Sequence, residues 1–420
     1  MTALEAASFL EAYASPGSRL GLERVKALMH ALGDPQDDLK YIHIAGTNGK
    51  GSTASMIASV LSSAGYKTGL YTSPALNRFN ERIRVDGEEI DDASLMAIAN
   101  LVTLQADKMD DKPTLFELMT AIAFIYFEKI ACDFVVLEVG MGGRMDATNL
   151  IKEAAVSVIT QIDKDHMSVL GDTLSKIAGE KAGIIREKTP VVLLNQDEVV
   201  MKLMRETCER FQAPLTVVSK GTICRSQRID HMQCFDYGHY EALKIPLLGL
   251  YQLSNAALAV EVIDVLRRIG YTISDKAVRT GLEKVKWPGR FEYMCQKPLF
   301  VVDGAHNVNG IKAMAESLAM LFPAGKATIL MGVMADKAYQ EMIKCIIPYA
   351  ERFICVTPEN SRALPSRRLK EQIQMYFDGD VLDTDSVADG VALALKMGWD
   401  TCAFGSLYMV GAIRAQFRQL

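Results

Sequence analysis

The sequence lacks any long uncharged apolar run. Its longest apolar stretch, residues 115–130, is interrupted by Glu117, Glu128 and Lys129, so it is too polar to span a bilayer. The N-terminus also lacks a basic region followed by an apolar core, and we therefore expect no signal peptide. These absences argue against a membrane protein, and we expect a cytoplasmic one.

An excess of positive charge and paired cysteines are missing as well. The 46 Lys and Arg residues are outnumbered by 51 Asp and Glu residues, and a formal net charge of −5 provides no basic field for nucleic-acid phosphates. The eight cysteines are scattered, and no Cys-x-x-Cys pair occurs among them. We therefore expect reduced thiols rather than disulfides or a zinc site.

What the sequence does contain is a strand, a glycine-rich turn and a helix start around Lys50. Residues 41–45 read as a buried strand, and a helix pattern opens at residue 52 and runs to residue 65. Three glycines allow the turn to be tight: Gly46, Gly49 and Gly51. Backbone N–H groups, the helix dipole and Lys50 together predict a phosphate cradle and a bound nucleoside triphosphate, although Gly51 separates the lysine from Ser52, unlike the commonest P-loop.

Strands and helices alternate along the rest of the chain. Predicted strands cover residues 68–71, 134–139, 155–160, 191–194, 299–302, 327–331, 352–356 and 401–404. Predicted helices include 4–14, 20–32, a segment capped by Thr114 and Glu117, 173–185 and a helix around 251–258. An antiparallel excursion is expected between residues 220 and 245.

This alternation predicts an α/β fold in two domains, because 420 residues are too many for one core. We expect an N-terminal P-loop nucleotide-binding domain with a mostly parallel sheet at residues 1–296. A smaller C-terminal Rossmann-like α/β domain follows at residues 297–420. The linker is predicted at residues 296–298.

Polar side chains at strand ends accompany the phosphate loop. Glu138 ends one predicted strand and His166 follows the next, so a carboxylate, an imidazole and a hydroxyl form a plausible Mg²⁺ ligand set. Lys181 in a helix and His306 in a turn are further candidates. Each residue also has a non-functional interpretation: Glu138 could cap a helix, His166 could be structural, Lys181 could be a solvated helix residue, and His306 could be hydrogen-bonded to its own backbone. His43, inside the first strand, is assigned to structure.

A second loop, starting at residue 72, is expected to cross the phosphate site as a mobile flap, since Pro74 keeps it out of a helix. Arg78, Arg82 and Arg84 follow, and they are either contacts for an anionic substrate or solvated side chains.

Several motifs, in the same order, resemble the folylpolyglutamate synthase / dihydrofolate synthase family of the Mur ligase superfamily. The resemblance covers essentially the full length. It includes Gly-Thr-Asn-Gly-Lys-Gly-Ser at residues 46–52, with the displaced glycine. The other matching segments are residues 72–74, 137–149, 165–166, 180–183, 255–257, 288–291, 303–307 and 405–408.

The resemblance implies an ATP-dependent acid–amino-acid ligase that requires Mg²⁺ and forms ADP and phosphate. Such an enzyme adds L-glutamate to the carboxylate of a folate through an acyl phosphate, as a tetrahydrofolate synthase. Whether dihydropteroate is a second acceptor, as for a dihydrofolate synthase, stays open. The implied partners are therefore small molecules, without nucleic acid or membrane, and a monomer is expected.

The resemblance also implies roles for individual residues. Catalysis would depend on Lys50, Lys181 and His306. Nucleotide contacts would come from Thr47, Asn48, Gly49, Lys50, Gly51, Ser52, Asn255, Arg290 and Asp303. Metal ligands would be Ser73, Glu138, His166 and a carbamylated Lys181. Substrate contacts would be Phe116, Glu117 and Asp146, with Arg82 added from the flap.

Two departures from the family pattern stand out. Ala75 replaces the histidine of Ser-Pro-His-Leu, and Arg19 replaces the aspartate of Asp-Leu-Gly-Leu. The second departure points away from dihydropteroate, whereas Asp146 points towards it. Alternative readings are another Mur-type amino-acid ligase and, from a different class, a P-loop regulatory ATPase; the Asn-Lys-x-Asp motif of a GTPase is absent.

Overall fold

The computed structural model describes residues 10, 17, 19–229, 231–322 and 325–418. Apart from Leu10, the predicted helix at 4–14 lies outside these residues. The chain divides into two compact units: residues up to 246 together with 254–285, and residues 247–253 together with 286–420. No helix of the described residues is long and apolar enough to cross a membrane.

The first unit is built on a mixed sheet that is mostly parallel. Its strands are Tyr41–Ala45 (β1), Thr68–Tyr71 (β2), Ile83–Val85 (β3), Glu88–Glu89 (β4), Phe134–Glu138 (β5), Val156–Ile159 (β6), Val191–Leu194 (β7) and Leu215–Val218 (β8). Their order in the sheet is β4-β3-β2-β5-β1-β6-β7-β8. All pairs are parallel except those made by β3 and β4 at one edge. The predicted mostly parallel sheet is thus confirmed.

Helices cover this sheet because their apolar faces need a surface to pack on. They are Glu23–Ala31 (α1), Lys50–Ser63 (α2), Asp92–Ala106 (α3), Leu115–Lys129 (α4), Met167–Leu170 (α5), Leu174–Ala182 (α6), Glu198–Arg210 (α7), Leu250–Arg268 (α8) and Asp275–Lys284 (α9). The predicted capping box at Thr114 and Glu117 opens α4 as expected. One core cluster packs α1, α3 and α4 against strand residues such as Tyr41, Tyr71 and Leu137.

The predicted antiparallel excursion is present. It is a three-stranded sheet, in the order β11-β10-β9, made of Ile223–Ile229 (β9), Met232–Tyr237 (β10) and Tyr240–Ile245 (β11). The helix α8 follows, and its first residues belong to the second unit while the remainder belongs to the first.

The second unit has its own six-stranded sheet. Its strands are Glu292–Gln296 (β12), Leu299–Val302 (β13), Ala327–Met331 (β14), Ala350–Cys355 (β15), Val381–Asp383 (β16) and Thr401–Phe404 (β17). Its helices are Val308–Leu321 (α10), Tyr339–Ile346 (α11), Ser366–Gln374 (α12), Val387–Lys396 (α13) and Leu407–Phe417 (α14). The order β12-β13-β17-β14-β15-β16 is parallel except for β12, so this unit is α/β as predicted.

The predicted linker at residues 296–298 is wrong. Strands β12 and β13 pair antiparallel, with Gln296 opposite Leu299, so these residues form a hairpin turn inside the second unit. The boundary instead lies between Val285 and Lys286. Pro298 suggested a linker from the sequence, but a proline is also tolerated at the start of a strand, here immediately before β13.

Candidate active site

The phosphate loop joins β1 to α2, and its glycines are required by close packing. Gly49 caps α2 in the left-handed region, with φ of 88°, and a Cβ there would lie 2.4 Å from Oδ1 of Asn255. A Cβ on Gly46 would lie 1.8 Å from Oγ1 of Thr160. The helix begins at Lys50, two residues before the predicted start. The sequence did not show this start because the N-cap residue is Gly49, which has no side chain to form a cap.

Hydrogen bonds fix the loop against the end of β6. The backbone N–H groups of Thr47 and Asn48 donate to the carbonyl of Gln161 at 2.7 and 3.2 Å. Thr47 Oγ1 bonds the backbone of Asp163 at 3.0 Å, and Thr160 Oγ1 donates to Asn48 O at 2.8 Å. The loop is therefore held in shape by the protein itself, which is what a preorganised anion cradle needs.

Lys50, Ser73 and Glu138 converge beside this loop. The Nζ of Lys50 donates to Thr47 O at 3.3 Å and lies 4.0 Å from Oε1 of Glu138. The other oxygen, Oε2, accepts the backbone N–H of Ser73 at 3.1 Å. Glu138 is buried at the carboxyl end of β5, as the sequence predicted. Here its carboxylate serves a loop and a lysine rather than a helix cap.

Lys181 is buried, so the alternative of a solvated helix residue is wrong. Its Nζ donates to Gly46 O at 2.8 Å, and only 4% of the residue is exposed. Burial, and then the positive charge of Lys50, lower the pKa of Lys181 to about 7. A Cβ on Gly143 would lie 2.7 Å from Glu180 O, so this glycine lets the loop after β5 pack directly on α6.

His166 lies at the start of α5. It is an exposed residue with a left-handed φ of 51°. Within the described ranges, no group of three or more His, Cys, Asp and Glu side chains is arranged to hold a metal ion. Of the predicted magnesium ligands, the structure thus brings Ser73 and Glu138 into contact, and these hard oxygen donors suit the ion.

A second group of predicted residues meets around Tyr71, at the end of β2. The ring of Phe116 lies 6.0 Å from that of Tyr71, and a Cβ on Gly140 would lie 2.5 Å from the Phe116 ring. Burial raises the pKa of Tyr71 to about 12, against the opposing charge of Arg82, and the nearby carboxylate of Asp146 also raises it. Tyr71 was not predicted, although its place at a strand end was a usable signal.

Asp146 is buried and heavily hydrogen-bonded. Its Oδ1 accepts from Thr148 N at 3.0 Å and Thr148 Oγ1 at 2.6 Å, while Oδ2 accepts from Met141 N at 2.8 Å. Burial raises the pKa of this carboxyl, against the pull of these hydrogen bonds. The backbone of Gly140 also stabilises the carboxylate, so the protein's own donors engage about all four of its acceptor positions.

The flap arginines differ in their environments. Arg78 and Arg84 pair with Glu89, at 2.8 and 3.6 Å, so both are engaged by the protein. Arg82 packs over the Phe79 ring at 5.5 Å, and its Nε is buried without a hydrogen-bond partner among the described residues. Arg82 is therefore the flap arginine best suited to meet a ligand.

Glu117 serves the protein rather than presenting a free carboxylate. Its Oε2 accepts from Thr114 N at 2.7 Å and from Thr114 Oγ1 at 2.9 Å. Arg24, a residue that sequence patterns did not single out, pairs with the same carboxylate at 3.2 Å.

His43, assigned to structure, is indeed fully buried and contacts Thr148 Oγ1 at 3.0 Å.

The second unit assembles its own buried cluster around Asp303. This carboxylate accepts from Tyr251 OH at 2.6 Å, Ala305 N at 2.7 Å and Phe291 N at 2.8 Å. Burial raises the pKa of Asp303, and the charge of Arg290 opposes that rise. His306 bonds its own turn, with Nδ1 2.8 Å from Gly304 O, which is the contact that the structural alternative expected.

Comparisons with known proteins agree with this arrangement. Residues 44–263 match the family model of the Mur ligase middle domain, and residues 289–400 match that of the Mur ligase glutamate ligase domain. The chain is therefore a Mur-type ligase, an ATP-dependent enzyme class that joins an acid to an amino acid.

More similar proteins narrow the class. Dihydrofolate synthase/folylpolyglutamate synthase of Bacillus subtilis is 35% identical, with 99% of each chain covered. Folylpolyglutamate synthase of Lacticaseibacillus casei is 36% identical, with 93% of each covered. The structure of Mycobacterium tuberculosis folylpolyglutamate synthase complexed with ADP superimposes with a TM-score of 0.91, at 32% identity, covering 99% of this chain and 98% of that one. The chain belongs to the dihydrofolate synthase/folylpolyglutamate synthase family.

Proposed function

We propose that this chain uses ATP to add L-glutamate to the terminal carboxylate of a folate, and that it also accepts dihydropteroate. The observation that carries this proposal is the convergence of Lys50, Ser73 and Glu138 at a preorganised phosphate loop. The full-length family relationship supplies the acceptor class.

The reaction would proceed through two transfers. An oxygen of the folate carboxylate attacks the γ-phosphorus of ATP, the bond to the bridging oxygen breaks, and an acyl phosphate and ADP result. The amine of glutamate then attacks the acyl carbon, loses its proton, and inorganic phosphate leaves. Because phosphoryl transfer needs mainly positioning and charge neutralisation, Lys50 and the loop residues 47–52 are assigned to the β- and γ-phosphates.

Magnesium is proposed beside these phosphates. Ser73 and Glu138 fit the ion because both offer hard oxygens next to the loop, and His166 is assigned as a further ligand. When bound, the ion would supply positive charge to the phosphoryl oxygens. Lys181 would contribute only as a carbamate, since a plain ammonium repels a cation.

Two features of Lys181 support carbamylation. Its amine is buried, and its pKa of about 7 leaves a large neutral fraction near neutral pH. A neutral amine reacts with carbon dioxide, releases a proton and becomes an anionic oxygen donor. The hydrogen bond to Gly46 O would then be made by the remaining N–H of the carbamate.

The pterin end of the substrate is assigned to the pocket of Tyr71, Phe116 and Asp146. Phe116 offers an aromatic face, Asp146 a buried carboxylate, and Arg82 a buried Nε–H that has no partner among the described residues. Glu117 is assigned to this pocket as a wall residue that is already occupied by Thr114 and Arg24.

Arg290 and Asp303 of the second unit are assigned to nucleotide contacts and His306 to catalysis. Asn255 of the first unit is assigned to the nucleotide. A monomer is proposed. All eight cysteines are free, which supports a reducing, cytoplasmic location.

The decisive experiment is ADP release by the purified chain. Parallel reactions contain ATP and Mg²⁺ with no addition, with glutamate alone, with tetrahydrofolate alone, with dihydropteroate alone, or with glutamate and each acceptor in turn. A folate ligase releases ADP only in the last two mixtures. ADP release from ATP alone would instead identify a regulatory ATPase. If neither tetrahydrofolate nor dihydropteroate gives ADP release together with glutamate, the chain is another Mur-type ligase.

A further inference from the structure

Arg24 on α1 holds the carboxylate of Glu117 through one hydrogen bond and an ion pair. Its Nε donates to Oε2 at 3.2 Å, and its Nη2 lies 3.2 Å from Oε1, which accepts no hydrogen bond among the described residues. The two side chains are 11% and 3% exposed, so the pair is shielded from solvent. A hydrogen bond between two charged groups is stronger than one between neutral groups.

The same carboxylate closes the first turn of α4. Glu117 accepts the backbone N–H and the hydroxyl of Thr114, and Thr114 Oγ1 accepts the backbone N–H of Glu117 at 3.3 Å. Arg24 therefore connects α1 directly to the N-terminus of α4. A shift of this cap would carry the neighbouring residue, Phe116, with it.

Phe116 has little freedom at its position. A Cβ on Gly140 would be 2.5 Å from the ring, so the ring lies flush against the backbone that follows β5. That backbone continues through the loop that ends at Asp146. The orientation of the α4 cap thus sets one wall of the proposed pterin pocket.

The segment before α1 reaches the opposite wall. Gly21 N donates to Met145 O at 3.3 Å, next to Asp146, and Arg24 Nη2 donates to Arg19 O at 2.8 Å. Arg24 therefore ties the cap of α4 to the segment before α1, and the backbone of that segment, at Gly21, contacts the loop that carries Asp146.

We propose that Arg24 is a positioning residue that keeps Phe116 and Asp146 at a fixed separation and thereby sets the affinity for the pterin end of the substrate. This inference rests on the proposed folate ligase function. It assigns no contact between Arg24 and substrate, ATP or the reacting atoms.

The test compares KM values for two substrates in Arg24→Met. We expect the KM for the pterin acceptor to rise about tenfold, because wall residues are displaced by fractions of an ångström. The KM for ATP and kcat should stay within about twofold, since the phosphate loop is untouched. In Arg24→Lys, which keeps the charge but not the planar guanidinium, the KM for the pterin acceptor should lie between those of the wild type and Arg24→Met.

Lys26→Met is the matched control on the same helix. Lys26 pairs with Glu23 at 3.6 Å, but the two side chains are 54% and 92% exposed. An exposed pair contributes little, so its loss should leave every KM within about twofold.

A compensating variant distinguishes the loss of the Arg24–Glu117 pair from a general loss of stability. Glu117→Gln keeps the capping box, because glutamine serves at this position, but it removes the buried charge. Arg24→Met combined with Glu117→Gln should bind the pterin acceptor more tightly than Arg24→Met alone, in which the carboxylate is left without its cation. Equal rises in KM for ATP and acceptor, or a double variant worse than the single one, would overturn the proposal.

Hydrogen exchange gives a readout that does not depend on catalysis. In Arg24→Met the amides of residues 140–146 should exchange faster than in the wild type, while those of residues 46–53 should not. Faster exchange in a chain that ligates no folate would retain the positioning role and refute the proposed function. Unchanged exchange together with an unchanged acceptor KM would refute the positioning role.

Discussion

The side-chain amine of Lys181 donates a hydrogen bond of 2.8 Å to the backbone carbonyl of Gly46. This contact joins α6 to the first residue of the phosphate loop, so a change in the position of the buried amine would also change the position of the loop. Its protonation state therefore matters for stability as well as for chemistry.

Replacing Lys181 by methionine should stabilise the chain most at low pH. The pKa of Lys181 is about 7 in the folded chain and about 10.4 in the unfolded chain, so the unfolded chain binds more protons between these values. Wild-type stability must then rise with pH across that window, and the full penalty of a buried ammonium is present below it. The difference in Tm between Lys181→Met and wild type, measured without carbon dioxide, should be largest near about pH 6 and shrink towards about pH 10. A difference independent of pH would contradict the burial argument.

Carbamylation predicts chemical rescue. Lys181→Ala should be nearly inactive in ligation, and a short carboxylic acid in the buffer should restore part of the rate by replacing the missing oxygen donor. Lys176→Ala, which removes an exposed lysine of the same helix, is the control and should need no rescue. High-resolution density that ends at a bare Nζ in active, magnesium-bound enzyme would rule the carbamate out.

Lys50→Ala should abolish glutamate ligation and leave the fold intact. The lysine neutralises charge that grows on the transferring phosphoryl group, and loss of such a group typically lowers kcat by about 10²–10³. Lys26→Ala, at an exposed position of α1, provides the comparison. Turnover within a few-fold of wild type, measured with saturating ATP, would remove Lys50 from the catalytic group.

Asp146→Ala should impair dihydropteroate use more than ATP binding. It deletes the acceptor proposed for the pterin and leaves three hydrogen-bond donors unpaired, at about 1–3 kcal/mol each where they stay buried. Asp146→Asn, which keeps one acceptor oxygen, should be milder. Binding of ATP and of dihydropteroate, each measured calorimetrically, decides the matter: equal losses would place Asp146 at the phosphates or the metal.

Two helical glycines should respond in opposite ways to alanine. A Cβ on Gly281 in α9 would lie 2.4 Å from Val60 Cα, so Gly281→Ala should destabilise by about 1–3 kcal/mol through overpacking. Gly179 in α6 has nothing within 4 Å of that position, and Gly179→Ala should stabilise by about 0.5–1 kcal/mol. Denaturant midpoints measure both, and a neutral Gly281→Ala would mean that α2 and α9 separate easily.

Local patterns carried much of the fold. The strand, glycine turn and helix around Lys50 could be predicted because each step depends on neighbouring residues, and the ends of β2, β13, β14 and β17 match the predicted bounds. The start of α2 could not be placed, since a glycine N-cap leaves no side-chain signal. The edge strand β12 was not predicted, because the proline at residue 298 was interpreted as part of a linker rather than of the hairpin turn between β12 and β13.

The site was predictable only where the chain itself brings residues to a strand end. Glu138 follows from its position at the end of β5, whereas the burial of Lys181 does not follow from a helix sequence in which lysine is ordinarily solvated. Arg24 and Glu117 are 93 residues apart, and no local pattern announces their contact. The resemblance to a family assigned Glu117 to the substrate, but it could not show that the carboxylate was already used.

The second unit is assembled from two separate stretches of chain. Its core includes Leu248, its helix α10 receives a hydrogen bond from Leu250 N to Ser317 Oγ at 2.9 Å, and Asp303 depends on Tyr251. A fragment cut at residue 286 would therefore lose part of its own interior. During synthesis, residues 247–253 leave the ribosome long before the strands of the second unit have been made. All residues of the first unit are present once residue 285 is made, whereas the second unit must hold this early segment unpacked until its sheet follows.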